Sequence, residues 1–105
     1  MANSAHFTPY LPMRKLTGEH REFITCLAFS ASGAYLASAS QDGIVAIWGT
    51  VDGAQISSFH LDTYALSLAW DGREPFRLFI GCLDGTAMYI NNLQVSHYIM
   101  RKWLY

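Results

Sequence analysis

The amino-acid sequence predicts an all-β protein made of two consecutive four-stranded antiparallel sheets. A set of short apolar segments recurs in the same order at nearly constant spacing. The tight-turn dipeptides Asp42-Gly43 and Asp84-Gly85 fall at matching places in the two copies. Of the 105 residues, 51% are hydrophobic and only 14% are charged, against roughly a quarter charged in an average soluble domain. A chain this apolar must bury most of itself, as sheets packed face to face do, and the composition argues against disorder.

The repeat is visible in three segments. Leu27-Ala28-Phe29 is answered by Leu68-Ala69-Trp70, with the alanines 41 positions apart. Leu36, Asp42 and Gly43 are answered by Leu78, Asp84 and Gly85 at a spacing of 42. Ile44–Trp48 is answered by Thr86–Ile90 at that same spacing. Self-similarity over a few tens of residues marks a fold assembled from repeated supersecondary units.

Taken in order, Ile24–Ser30 and Tyr35–Ser40 are β-rich runs joined by Ala31-Ser32-Gly33-Ala34, a hairpin loop with a glycine available for positive φ. Asp42-Gly43 then turns the chain into a third antiparallel strand, Ile44–Trp48. Val51-Asp52-Gly53 turns it again into a fourth, Ala54–Phe59. A helical alternative needs apolar spacings of three and four without breakers, and glycines recur too often for that. The organisation that follows is an irregular segment over 1–12, a first unit over 13–59, and a degenerate second unit over 60–92. The remaining segment, 93–105, is a tail or an outer strand.

Charge and cysteine usage exclude several function classes. Net charge is −1 and the seven Lys and Arg residues are scattered, so no basic stripe meets a phosphate backbone and nucleic acid is not an expected partner. Cys26 and Cys82 are the only cysteines and lie far apart in apolar runs, which supports neither a disulfide framework nor a zinc site. His6 and His97 lack ligand-spaced partners, and Asp62, Asp71 and Glu74 read as solvated turn residues. No phosphate-cradling glycine loop is present, so no cofactor is expected. Residues 23–41 carry no charge, but their Thr, Ser, Gly and Gln content is too polar for a membrane span. Pro9 and Pro12 interrupt an N-terminus without an apolar core, unlike a secretory signal. The expectation is an intracellular protein, in cytoplasm or nucleus.

His20, Asp42 and a serine at 38 or 40 are the residue types of a hydrolase triad. That alternative would make Ser40 the nucleophile and His20 its base. No Gly-x-Ser-x-Gly elbow and no oxyanion loop accompany them.

The stretch Leu16-Thr-Gly-Glu-His20, Ala28-Phe29-Ser30, Leu36-Ala-Ser-Ala-Ser-Gln-Asp-Gly43 and Ile44-Val-Ala-Ile-Trp48 resembles a WD40 repeat. The period of about 40–45 residues and the Gly-His to Trp-Asp frame are that family's marks. The resemblance covers roughly 13–92, with departures: Glu19 splits the Gly-His pair and Gly49 follows Trp48 in place of Asp. In the second unit Phe59-His60 stands for Gly-His and Ile90 for the tryptophan. The fold implied is two consecutive blades of a β-propeller, and the function implied is a non-catalytic scaffold for protein or peptide partners.

The resemblance also implies a structural hydrogen-bond network of His20, Asp42, Trp48 and one of Ser38 or Ser40. Within it, a histidine held by the carboxylate would accept from the indole. In the second unit Ile80, Cys82 and Ile90 replace the serines and the tryptophan. That unit is expected to rest on Leu66, Leu68, Trp70, Phe79, Met88 and Ile90. The family's partner-binding positions, carried over, fall on Phe23, Thr25 and Gln41, and in the second unit on Thr63, Tyr64 and Leu83. Propellers close with about 4–8 blades, so two blades leave a sheet face uncovered at each end. Self-association or flanking blades are therefore expected.

Overall fold

The computed structural model describes residue 16 and residues 18–72 and 77–91, together with the backbone of 98–102. The first sheet contains β1 (Ile24–Phe29), β2 (Tyr35–Ser40), β3 (Ile44–Gly49) and β4 (Gln55–His60). The second contains β5 (Ala65–Asp71), β6 (Arg77–Cys82), β7 (Thr86–Asn91) and β8 (Tyr98–Lys102). Each sheet is four-stranded, with its strands side by side in chain order, and every pairing is antiparallel. Among the described residues there is no helix. The all-β class and the two consecutive sheets are as the sequence predicts.

Turn chemistry sets the strand order. Gly43, at φ +89°, lets the chain reverse between β2 and β3, a backbone conformation that L side chains adopt only at a cost. A Cβ on Gly43 would also lie 2.9 Å from the carbonyl oxygen of Leu61 and 3.0 Å from that of Thr63. The loop after β4 therefore rests directly on this turn, and the N–H of Leu61 donates to the Gly43 carbonyl at 2.8 Å.

Cross-strand pairing assigns every side chain to one of two faces. On one face of the first sheet lie Leu27, Phe29, Leu36, Ser38, Ala46 and Trp48; we call this the leading face. The opposite, trailing face carries Cys26, Ala28, Ala37, Ala39, Val45 and Ile47. The core forms where the trailing face of the first sheet meets the leading face of the second. It joins Ala37, Ala39, Val45 and Ile47 to Leu78, Ile80, Cys82, Met88 and Ile90. Leu68 and Trp70 of β5 pack against this cluster, as do Cys26 and Phe59 of the first sheet.

Two of the residues expected to hold the second sheet are not in its core. Leu66 is 53% exposed and Phe79 38% exposed, whereas Leu78 and Ile80 are each 1% exposed. The cause is strand phase. Phe79 pairs with Ala69 and Tyr89 on the trailing face, while Leu78 and Ile80 alternate onto the leading face. Leu66 sits at a bulge between Ala65 and Ser67, outside the regular alternation.

In the 93–105 segment, β8 pairs with β7 from Ile90↔Tyr98 to Thr86↔Lys102 and completes the second sheet. Residues 1–15, His97, Glu74 and the end from Trp103 to Tyr105 lie outside the described residues. The expectations for His6, His97, Glu74 and the 1–12 segment fall there.

Candidate functional site

The Asp42-Gly43 turn is held from both sides. On one side the Asp42 carboxylate accepts the backbone N–H of Arg21 at 2.9 Å and that of Ile44 at 2.9 Å, as well as the Ser40 hydroxyl. On the other, His60 Nε2 donates to the Asp42 carbonyl at 2.9 Å. His20 lies between the two serines, with Nδ1 3.0 Å from Ser40 Oγ and Nε2 2.6 Å from Ser38 Oγ. The Trp48 indole N–H donates to Ser38 Oγ at 2.8 Å.

Donor and acceptor counting orients this chain. An ionised carboxylate only accepts, so Ser40 gives its proton to Asp42 and accepts from the His20 Nδ1–H. Ser38 accepts from Trp48, which leaves its own proton for His20 Nε2. The path runs Trp48, Ser38, His20, Ser40, Asp42, and each member is satisfied. That is the condition under which a buried polar network stabilises a low-dielectric interior.

Both serines belong to the network, so the choice between them disappears. Trp48 donates to Ser38 and not to His20, and Asp42 reaches His20 only through Ser40. The spacing explains this. Two serines two residues apart share one face of β2, and a histidine ring is wide enough to bridge them.

Electrostatics follow the same geometry. Desolvation pushes the Asp42 carboxyl up, but the hydrogen bonds from Ser40, Arg21 and Ile44 outweigh it and lower it to about 2. The carboxylate is therefore a fixed anion at neutral pH. In a Ser-His-Asp triad the carboxylate takes one ring nitrogen and an accessible serine the other. Here serines hold both ring nitrogens, and Ser38 and Ser40 are 4% and 0% exposed. What this arrangement does chemically is clamp the loop before β1 to the turn after β2.

The second sheet uses a different fastening. Asp84 accepts the Thr86 backbone N–H at 3.0 Å and the Thr86 hydroxyl at 2.6 Å, closing its own turn. His60 serves the turn of the first sheet instead. The network positions of the second sheet, Ile80, Cys82 and Ile90, are filled with apolar side chains in the core. Burial pushes both the Cys82 and the Cys26 thiols up, so neither is a ready nucleophile. Among the described residues no group of three His, Cys, Asp or Glu side chains is placed to hold a metal.

The clamp positions an exposed rim. The Gln41 N–H donates to the Phe23 carbonyl at 2.9 Å, and the Leu83 N–H donates to the Tyr64 carbonyl at 3.0 Å. Phe23 and Tyr64 are thus equivalent, as are Gln41 and Leu83. Phe23 is 77% and Leu83 54% exposed; Gln41 is exposed and Tyr64 half-buried. Thr25 is half-buried, its hydroxyl donating to the Ala39 carbonyl at 3.2 Å.

β1 and β5 bulge at the same place, between Ile24 and Cys26 and between Ala65 and Ser67. Leu66 therefore answers Thr25, while the Thr63 carbonyl packs on Gly43. Leu66 is the rim residue that the sequence expectation passed over. The signal for it was the repeat itself, in which Thr25 and Leu66 stand 41 positions apart.

The family profile described as "WD domain, G-beta repeat" matches residues 11–49. The chain carries a WD40 repeat. Over 72 residues it is 26% identical to ribosome biogenesis protein BOP1 of Mus musculus, covering 69% of this chain and 10% of that protein. Over the same length it is 29% identical to ribosome biogenesis protein bop1-A of Xenopus laevis, with the same coverage. The chain thus spans about a tenth of the length of these curated relatives.

Among solved structures, the fold is similar to the Myceliophteria thermophila Cps50 (Swd1) β-propeller domain, at TM-score 0.70 and 23% identity. That match covers 84% of this chain and 27% of the other. BBS1N in complex with ARL6DN matches at TM-score 0.60 and 19% identity, over 85% of this chain and 30% of that one. The two sheets are consecutive propeller blades. The WD40 match takes in β1 to β3 of the first, and includes His20, Ser38, Ser40, Asp42 and Trp48, which hold the Asp42 turn.

Proposed function

We propose that this WD40 chain is a non-catalytic protein-interaction scaffold whose partner docks on the rim of Phe23, Thr25 and Gln41 and of Tyr64, Leu66 and Leu83. The observation that carries this is one exposed apolar side chain in each of two equivalent rim pairs on adjacent blades, Phe23 beside Gln41 in the first and Leu83 beside Tyr64 in the second. Phe23 and Leu83 each belong to a rim pair closed by the same backbone hydrogen bond. Aromatic and large aliphatic anchors on a rigid frame are what interfaces concentrate their binding energy on. The network below the rim does no chemistry in this proposal and fixes where Phe23 and Gln41 stand. Peptides or proteins are the partners, without nucleic acid, membrane or cofactor. The compartment is intracellular, cytoplasm or nucleus. The likeness to BOP1 makes a ribosome-biogenesis assembly the first setting in which to look for the partner.

A peptide library displayed on phage and panned against the immobilised chain tests the proposal. Selected peptides should lose at least tenfold in affinity, about 1.4 kcal/mol, to Phe23→Ala or Leu83→Ala. They should be indifferent to Val51→Ala, at a turn in the first blade. Peptides that bind equally to the rim variants would place the docking surface elsewhere.

A further inference from the structure

The apolar side chains of the rim are set among carboxylates. Glu22 precedes Phe23, Asp84 follows Leu83, and Asp62 stands two residues before Tyr64. Glu22, Asp62 and Asp84 are exposed and Glu19 is half-buried. Three separate fastenings bring them to one end of the sheets. The Asp42 carboxylate holds the loop that carries Glu19 and Glu22 through the Arg21 N–H. The loop that carries Asp62 rests on the Gly43 turn, the Leu61 N–H donating to the Gly43 carbonyl at 2.8 Å. Asp84 closes the turn between β6 and β7 by accepting from Thr86. With Asp42, these make five of the chain's eight acidic residues. Among the described residues, the Lys and Arg at this end are Arg21 and Lys102, the latter ending β8 opposite Thr86.

We propose that the segment docking on this rim is cationic, with Lys or Arg interleaved among large apolar side chains. This rests on the rim reading and goes beyond it to the partner's chemistry. Burial of Phe23, Leu66 and Leu83 is non-directional and accepts any apolar surface. The carboxylates supply the choice. Complementary charge steers encounter and fixes register, and it repels partners of the same sign. Lys and Arg suit both parts of such a surface, because the stem lies along apolar side chains while the charged head reaches past them. Acidic and phosphorylated segments meet like charge and are rejected. The whole chain carries a net charge of only −1, so this polarity arises from placement and not from composition.

The phage-displayed library panned on the chain tests this, once rim-dependent peptides are sorted from the rest by their weaker binding to Phe23→Ala. Those peptides should be enriched in Lys and Arg over the unselected library and depleted in Asp and Glu. Synthesised with a fluorophore, they are then titrated by fluorescence polarisation. A chain carrying both Glu22→Gln and Asp62→Asn should bind them about three- to tenfold more weakly than the parent. Asp52→Asn with Asp71→Asn, at the β3–β4 turn and the far end of β5, removes equal charge from the opposite end and should change nothing. All four positions are exposed, and thermal melts check that each variant folds as the parent does. Raising salt from about 0.05 to about 0.5 M should erase the difference between the parent and the first variant.

Rim-dependent peptides without a cationic excess overturn this proposal and leave the rim standing. So does a Glu22→Gln, Asp62→Asn chain that binds them as the parent does. Peptides indifferent to both Phe23→Ala and Leu83→Ala overturn the rim, and this inference with it.

Discussion

The indole of Trp70 in the second blade donates its N–H to the carbonyl of Ala28 in the first, at 2.8 Å and across 42 positions of sequence. It is a polar bond between the two sheets, beside an apolar seal. Trp70→Phe keeps most of the ring and removes the donor, leaving the Ala28 carbonyl without it. The expected loss is about 0.5–1.5 kcal/mol, read as a lower urea midpoint with an unchanged slope.

The polar network of the first blade should be far more sensitive than its apolar counterpart is to loss of polar groups. Trp48→Ala removes a side chain that is 4% exposed and should cost about 3–5 kcal/mol. His20→Ala strips both serines of a partner and should cost about 1–3 kcal/mol for each orphaned group. His60→Ala, at an exposed site, should cost under about 1 kcal/mol. Denaturant midpoints for the three variants check the order, and an unchanged midpoint for His20→Ala would contradict the network's role.

Acid should attack the Asp42 turn. The carboxyl is lowered from 3.8 to about 2, so the unfolded chain takes up this proton at higher pH than the folded one. The stability it contributes is complete above about pH 4 and is lost as pH falls towards 2. Asp42→Asn should lower stability at neutral pH and flatten the pH dependence of the melting temperature between pH 4 and 2. The Asp84 turn, closed by Thr86, serves as the control, since its carboxyl remains in the variant.

Gly43→Ala should destabilise through two additive causes. Positive φ costs about 1–2 kcal/mol for a non-glycine residue, and the new Cβ would meet the Leu61 and Thr63 carbonyls at 2.9 and 3.0 Å. Gly33→Ala, also at positive φ (+79°) but with no neighbour within 4 Å of the added Cβ, should show only the first. The difference between the two melting temperatures isolates the contact between the turn and the following loop.

How legible this was in the sequence depends on the residue. The Asp-Gly turns and the 41–42 residue spacing encode the strand order, because a tight turn leaves the chain one way to go. His20, Ser38, Ser40, Asp42 and Trp48 could be named through the resemblance to a WD40 repeat, but not wired. Which serine takes the indole depends on ring orientation, and several orientations fit one spacing. Phe79 and Leu78 are adjacent and both apolar, so composition could not say which faces the core; the pairing with Ile90 and Tyr89 decides it. Leu66 was hidden because an extra residue in a strand shifts every later side chain by one without any change in composition.

That extra residue has a consequence for the proposed docking rim. Thr25 and Leu66 occupy the same bulge on neighbouring blades, where one residue swells out of the ladder with no opposite number. One is a half-buried polar side chain and the other an exposed apolar one, yet both blades keep the same backbone course. A position without a cross-strand partner in the ladder can be rewritten at little risk to folding. If partners dock there as proposed, the rim is retargetable: its chemistry can be exchanged one bulge at a time while the frame beneath stays as it is.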